Sequence, residues 1–169
     1  MSEYANGLIL AFKALDIFET IEDTEGLYRV RNIIGIIYFY YGAYGDAQEQ
    51  FVLALDLLKI SPDYNVEASA LNNLGEVYRE AGNYEHALSY YESAYKLSVD
   101  HGYIFNQAAI LLNIGEVQHQ MGYINESVNN LKNAYEIVLR ENHVLEQAES
   151  ESKLGRAMMV MGKYDAARN

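Results

Sequence analysis

Residues 71–82, LNNLGEVYREAG, and the stretch that follows, NYEHALSYYESAYKLSV (83–99), decide the fold. In the first, Leu71, Leu74, Val77 and Tyr78 recur at steps of three and four, the spacing of one face of an amphipathic helix. Gly82 follows as a helix C-terminal signal. In the second, Tyr84, Ala87, Leu88, Tyr91, Ala94, Tyr95 and Leu97 or Ser98 share one broad face. No alternating β pattern competes, so the segment reads as two helices joined by a tight turn.

The same pair recurs along the chain. Gly35, Gly75, Gly115 and Gly155 are 40 residues apart, and so are Gly42, Gly82, Gly122 and Gly162. Other columns keep this register. Tyr44, Tyr84, Ile124 and Tyr164 form one, and Ala47, Ala87, Ser127 and Ala167 a second. Phe51, Tyr91 and Leu131 form a third, and Ala54, Ala94 and Ala134 a fourth. A fixed period of this length is the mark of a stacked repeat architecture. The first Gly of each repeat lies in mid-helix, where Gly costs about 1 kcal/mol against Ala. Close approach of the partner helix would compensate, with Ala87 expected to face Gly75. Ala94 is expected to admit the next repeat's first helix.

LGEVYREAGNYEHALSYYESAY (74–95) and IGIIYFYYGAYGDAQEQFVLAL (34–55) resemble the tetratricopeptide repeat. That family has a small residue in helix A, a Tyr three residues on, and Ala-Phe-Ala-type spacing in helix B. The resemblance implies an all-α fold, a right-handed α-solenoid of antiparallel helix pairs with about eight helices. The common repeat has 34 residues. The six extra residues here fall between helix B and the next helix A and are expected to lengthen both. The long repeat resembles the subclass of bacterial signalling proteins and peptide-binding adaptors. Some positions depart from the family pattern: Gln118 and Met158 replace the helix A Tyr, Ser127 replaces Ala, and Arg31 and Glu151 replace a large apolar residue.

Tyr4, Ala14 and Leu15 fall one period before Tyr44, Ala54 and Leu55. The chain is therefore expected to be a single solenoid over 1–169. Residues 3–22 supply helix B of a truncated repeat. Repeats follow at 24–62, 63–102 and 103–142, with an incomplete fourth over 143–169. Cut out of phase at both ends and lacking a polar capping helix, it reads as a piece of a longer protein. The helix A face of repeat four (Leu154, Met158, Met161) would lack its partner, and so would the N-terminal helix B. Head-to-tail stacking of copies would satisfy both deficits.

The resemblance places ligand contacts on helix A, which lines the concave face. The candidate residues are Asn32, Ile36, Phe39 and Tyr40 in repeat one, and Asn72, Asn73, Glu76 and Arg79 in repeat two. Repeat three supplies Asn113, Glu116, His119 and Gln120, and repeat four Lys153 and Arg156. Asn73 and Asn113 are equivalent. An amide donates and accepts at once, which suits an extended peptide along a groove. The alternative is an Asn bonded to its own helix or to water. Ile36, Phe39 and Tyr40 form an apolar patch that either receives an apolar side chain or packs against a preceding repeat. The position after the first Gly is Ile36, Glu76, Glu116 or Arg156 rather than Asn, so the carboxylate clamp of chaperone-adaptor repeats is not expected.

Composition narrows the function further. Asp and Glu number 24 against 12 Lys and Arg, a net charge of −12, which disfavours nucleic acid because phosphate contacts need basic clusters. There is no Cys, which excludes thiolate metal sites, thiol nucleophiles and disulfides. MSEYANGLILAFK does not read as a signal peptide, and no run is apolar for long enough to span a membrane. The four His are scattered, and no HExxH, phosphate loop or GxGxxG after a strand occurs. The 16 Tyr fall largely in packing columns. The expected protein is a non-enzymatic, cytoplasmic protein- or peptide-binding scaffold with no cofactor and no metal. It would form the regulatory part of a larger signalling protein with a diguanylate cyclase, kinase or transcription-factor output domain. A head-to-tail self-association module is the alternative.

Overall fold

The computed structural model describes residues 2–141, and beyond them 151–153, 155, 158 and 159. Seven helices follow one another: α1 (Ser2–Thr20), α2 (Thr24–Tyr41), α3 (Tyr44–Leu58), α4 (Tyr64–Glu80), α5 (Tyr84–Asp100), α6 (Ile104–Gln120) and α7 (Ile124–Glu141). The described residues near position 155 are helical too. The 40-residue period reappears in the helix starts, at Thr24, Tyr64 and Ile104 for helix A and at Tyr44, Tyr84 and Ile124 for helix B. In repeat two, helices of 17 residues each and two short turns take up the whole period.

Glycine sets the turn within each pair. Gly42, Gly82 and Gly122 have φ of 83°, 74° and 84°, a left-handed conformation that a Cβ disfavours. Each is followed by a backbone bond that caps helix A: Ala43 N to Tyr38 O, Asn83 N to Tyr78 O and Tyr123 N to Gln118 O, at 2.8–2.9 Å. Asp23 and Asp63 cap the starts of α2 and α4 through their carboxylates.

The mid-helix glycines serve a different end. An ideal Cβ on Gly75 would lie 2.4 Å from the Tyr91 ring. On Gly35 it would lie 2.5 Å from Phe51, and on Gly115 2.6 Å from Leu131. The first neighbour of Gly75 is thus the Tyr91 ring and not Ala87. Four residues further along helix B, a large side chain reaches back across the glycine and occupies the space that Cβ would need. The alanine column still sits at the tight contact. Ala47, Ala87 and Ser127 are fully buried, and the Ser127 hydroxyl donates to the Gly115 carbonyl at 2.6 Å. Ala94 packs with Ile110 and Ile114 of the next helix A, as expected.

Departures from the repeat pattern are locally compensated. Where repeat two stacks Tyr78 on Tyr90 with ring centroids 5.2 Å apart, repeat three pairs Asn130 Nδ2 with Gln118 Oε1 at 2.8 Å. Arg31 donates to Gln50 of α3 and Glu19 of α1, and so ties three helices together. Glu151 accepts from the Tyr135 hydroxyl at 3.1 Å. Met158 is exposed, while Leu154 and Met161 lie outside the described residues.

Packing is sequential. Each helix contacts the next, most extensively within a pair, and the buried clusters are slabs shared by neighbouring helices. This is the one-dimensional construction of a solenoid. Helices A also touch the next helix A, α2 with α4 and α4 with α6, whereas among the described residues no helix B reaches another. Closer approach on one side means curvature toward it, so helices A line the inner face.

Candidate functional site: the inner groove

Nearly all the residues expected to face a ligand lie on α2, α4 and α6, with Lys153 in the helical stretch beyond. Arg156 lies outside the described residues. Six of them meet at one place. Ile36, Phe39 and Tyr40 of α2 and Asn72, Asn73 and Glu76 of α4 line a cavity of about 330 Å³, closed beneath by Phe51 of α3. Four others, Glu116, His119, Gln120 and Lys153, line a second cavity of about 90 Å³ over Leu131 of α7. The two cavities use the same positions of the repeat, 80 residues apart in sequence.

Phe51 and Leu131 were not expected in the groove, because they belong to helix B. They reach it by crossing over Gly35 and Gly115. The signal was present in the sequence: a glycine column with a large residue 16 positions later marks a side chain that passes through the inner layer.

The asparagines form a ladder between helices A. Asn73 Nδ2 donates to Asn32 Oδ1 at 3.3 Å and Asn113 Nδ2 to Asn72 Oδ1 at 3.1 Å. Nearer the start of these helices, Asn106 Nδ2 donates to Asn65 Oδ1 at 2.9 Å. Each pair is 41 residues apart, a spacing readable in the sequence once the period is known. The expected partners of these amides were a peptide, the same helix or water; the neighbouring repeat is a fourth. An amide has more capacity than one bond uses. Among the described residues, Asn73 Oδ1 and Asn72 Nδ2 take no further partner, and both residues line the larger cavity.

Between the cavities the groove is filled by charge. Arg79 occupies the repeat position of Phe39 and His119. Its guanidinium donates to Glu76 at 2.7 and 3.2 Å and pairs with Glu80 at 2.7 Å. Burial works against its charge, but the hydrogen bond and attraction of Glu76 outweigh that and raise its pKa. The Tyr91 hydroxyl beneath is buried with no hydrogen-bond partner among the described residues. Burial, and then the Glu76 carboxylate, push its pKa well above 10. Lys153, largely buried, pairs with Glu116 at 2.8 Å. The described groove thus carries Glu76, Glu80 and Glu116 against Arg79 and Lys153. No group of side chains among the described residues is arranged to hold a metal ion, and no described helix is long and apolar enough to cross a membrane.

A chain of stacked antiparallel helix pairs with a continuous inner groove is a helical-repeat scaffold. The model of the tetratricopeptide repeat family matches residues 32–98, and the 40-residue register carries the pattern beyond that segment in both directions. Residues 32–98 are thus a tetratricopeptide-repeat segment. The structure of the chain is similar to that of BtubC (BKLC) from P. vanneervenii, with a TM-score of 0.84 and 18% identity over 98% of this chain and 69% of that one. It is also similar to a signal transduction ATPase with numerous domains that bears a tetratricopeptide repeat sensor, from Pyrococcus horikoshii. There the TM-score is 0.77 and the identity 18%, over 87% of this chain and 23% of that one. At such identities the likeness speaks to the fold. No curated protein sequence matches the chain significantly. Tetratricopeptide repeats are protein–protein interaction scaffolds, and the fold typically serves without catalysis of its own.

Proposed function

We propose that the inner groove binds an extended segment of a partner protein. The observation that carries this reading is the larger cavity, where three aromatic rings meet two asparagines with unused amide capacity. Rings accept an apolar side chain, while Asn72 and Asn73 offer a donor and an acceptor to the backbone beside it. Asn32, Asn113, Glu116, His119, Gln120, Lys153 and Arg156 continue the binding surface along the groove. The solenoid serves as the regulatory or sensory region of a larger cytoplasmic signalling protein, whose output domain it couples to the partner. Support comes from the long-repeat resemblance and from the sensor role printed for the Pyrococcus horikoshii repeat.

Peptides selected from a random display library on the wild-type chain test this reading. Asn73→Ala and Phe39→Ala are expected to weaken the selected peptides about tenfold each, the cost of one unmade hydrogen bond or lost apolar contact, with unchanged circular dichroism. Unchanged affinity in both variants overturns it.

One observation favours self-association as a second reading. Leu10 and Ile17 on α1 and Ile21 in the turn just after it are 57–66% exposed, and Met158 and Met159 are exposed at the other end of the described chain. Stacking one end on the other would cover both. Sedimentation of wild type and Leu10→Glu/Ile17→Glu decides it: a concentration-dependent mass that the double variant abolishes supports stacking, and a monomer at millimolar concentration rejects it.

A further inference from the structure

The two cavities occupy one repeat position on either side of a filled one. Ile36, Phe39 and Tyr40 over Phe51 become Glu116, His119 and Gln120 over Leu131. Between them Arg79 lies locked to Glu76 and Glu80. A segment running along the groove can therefore sink a side chain at the first and third places but not at the second.

The two places differ in what they accept. The first is about 330 Å³ and walled by rings, which is room for a bulky apolar side chain. The second is about 90 Å³, which is room for a small one. Glu116 and Lys153 there hold each other at 2.8 Å, so the charge is balanced locally and an ionic ligand group gains little. His119 Nε2 is buried and has no hydrogen-bond partner among the described residues. A buried polar atom left without a partner is costly, so a ligand group that bonds it gains affinity. A hydroxyl both donates and accepts, and so satisfies a ring nitrogen in either tautomer.

Spacing follows from the fold. Packed helices lie about 8–10 Å apart, so two repeats separate the cavities by roughly 20 Å. An extended chain rising about 3.3 Å per residue covers that in about six residues. Taking the groove as the binding surface proposed above, we infer that its ligand is an extended segment with two anchors about six residues apart. A bulky apolar residue enters the cavity between repeats one and two, and a Ser or Thr hydroxyl meets His119 in the cavity above Leu131.

Synthetic peptides with one Phe and one Thr in a Gly/Gln/Lys host test it, in both orders, with the pair set about three, six or nine residues apart. Fluorescence anisotropy gives the affinity. The tightest binding is expected at about six, roughly tenfold over the other spacings. Replacing Thr by Val in the best peptide is expected to cost about tenfold on wild type and nothing on His119→Leu. Circular dichroism of His119→Leu matching wild type shows that the variant folds. Affinity indifferent to spacing and to the hydroxyl, but lost on Asn73→Ala and Phe39→Ala, overturns the two anchors and leaves the groove as the binding surface. Affinity indifferent to Asn73→Ala and Phe39→Ala as well overturns both, and no binding by any peptide overturns the two-anchor segment.

Discussion

Repeats one and two share the same helix-pair plan, and two of the columns at which they differ show how the groove is shaped. Phe39 becomes Arg79, and Phe51 becomes Tyr91. In repeat one the aromatic pair leaves a cavity between α2 and α4. In repeat two the guanidinium closes the equivalent place, and the ring below it carries a hydroxyl with no partner among the described residues. The small residues fix where side chains can point, through Gly35 and Gly75 alike. The large residues in those directions then decide whether the groove is open or shut. A repeat protein thus separates the part of its sequence that builds from the part that recognises.

The building half breaks at Gly75. Gly75→Ala puts a Cβ 2.4 Å from a carbon of the Tyr91 ring. That ring is wholly buried between helices and has no free end to swing away. The expected loss is about 1–3 kcal/mol, the usual range for overpacking a filled core. Gly45→Ala, near the start of α3, meets nothing within 4 Å and is expected to gain about 0.5–1 kcal/mol from helix propensity. Chemical denaturation of the two single variants measures both. Equal effects would mean that the glycine column is not a packing device.

Much of this was legible beforehand, and the exceptions have a shared cause. The 40-residue ladders gave the helix pairs and the turns at Gly42, Gly82 and Gly122, because these depend on backbone conformation and helical spacing, whereas the groove positions on helix A came from the family resemblance. Missed were the side chains that cross from one layer to another. Ala87 was the expected neighbour of Gly75 because it is the small residue opposite; the Tyr91 ring took the space because a long side chain leans back toward the preceding turn. Phe51 and Leu131 were missed as groove floor for the same reason. The Asn32–Asn73 and Asn72–Asn113 bonds link different repeats, and periodicity read one repeat at a time cannot show them. The compensation of Gln118 by Asn130 likewise needs two helices seen together.

The Tyr91 hydroxyl offers a gentler way to sharpen the contrast of repeats one and two. Tyr91→Phe gives repeat two the ring that repeat one has in Phe51 and removes a buried hydroxyl with no described partner. About 1 kcal/mol of added stability at neutral pH is expected. The alkaline limb should change as well. Burial raises the Tyr91 pKa above its ordinary 10, so the folded chain holds this proton after the unfolded chain has begun to lose it. Stability from this source is fully present below about pH 10 and is lost as pH rises beyond it. The variant's stability should therefore fall less steeply than wild type above that pH, as urea midpoints at a series of alkaline pH values would show. A lower stability at neutral pH would mean that the hydroxyl is bonded after all.

The smallest expected effect lies in the turns from helix B to the next helix A. Gly102, with φ of 72°, and Glu22, with φ of 55°, stand 80 residues apart in the same register, and both are left-handed. The residue between them in that column is Pro62, whose ring forbids positive φ; there α3 ends earlier, at Leu58, and the chain turns by another route. Among the described residues only Glu22 takes up this conformation with a side chain, and its backbone still bonds Glu19. Glu22→Gly removes the Cβ clash but adds freedom to the unfolded chain. The two partly cancel and leave an expected gain of about 0.5 kcal/mol. Gly102→Ala makes the opposite change at the equivalent site, where a Cβ meets no atom within 4 Å, so backbone strain alone decides the result. A loss there of about 1 kcal/mol beside a gain at Glu22, by thermal unfolding, would show that the two turns are one device. Matching signs would show that they differ despite their shared register.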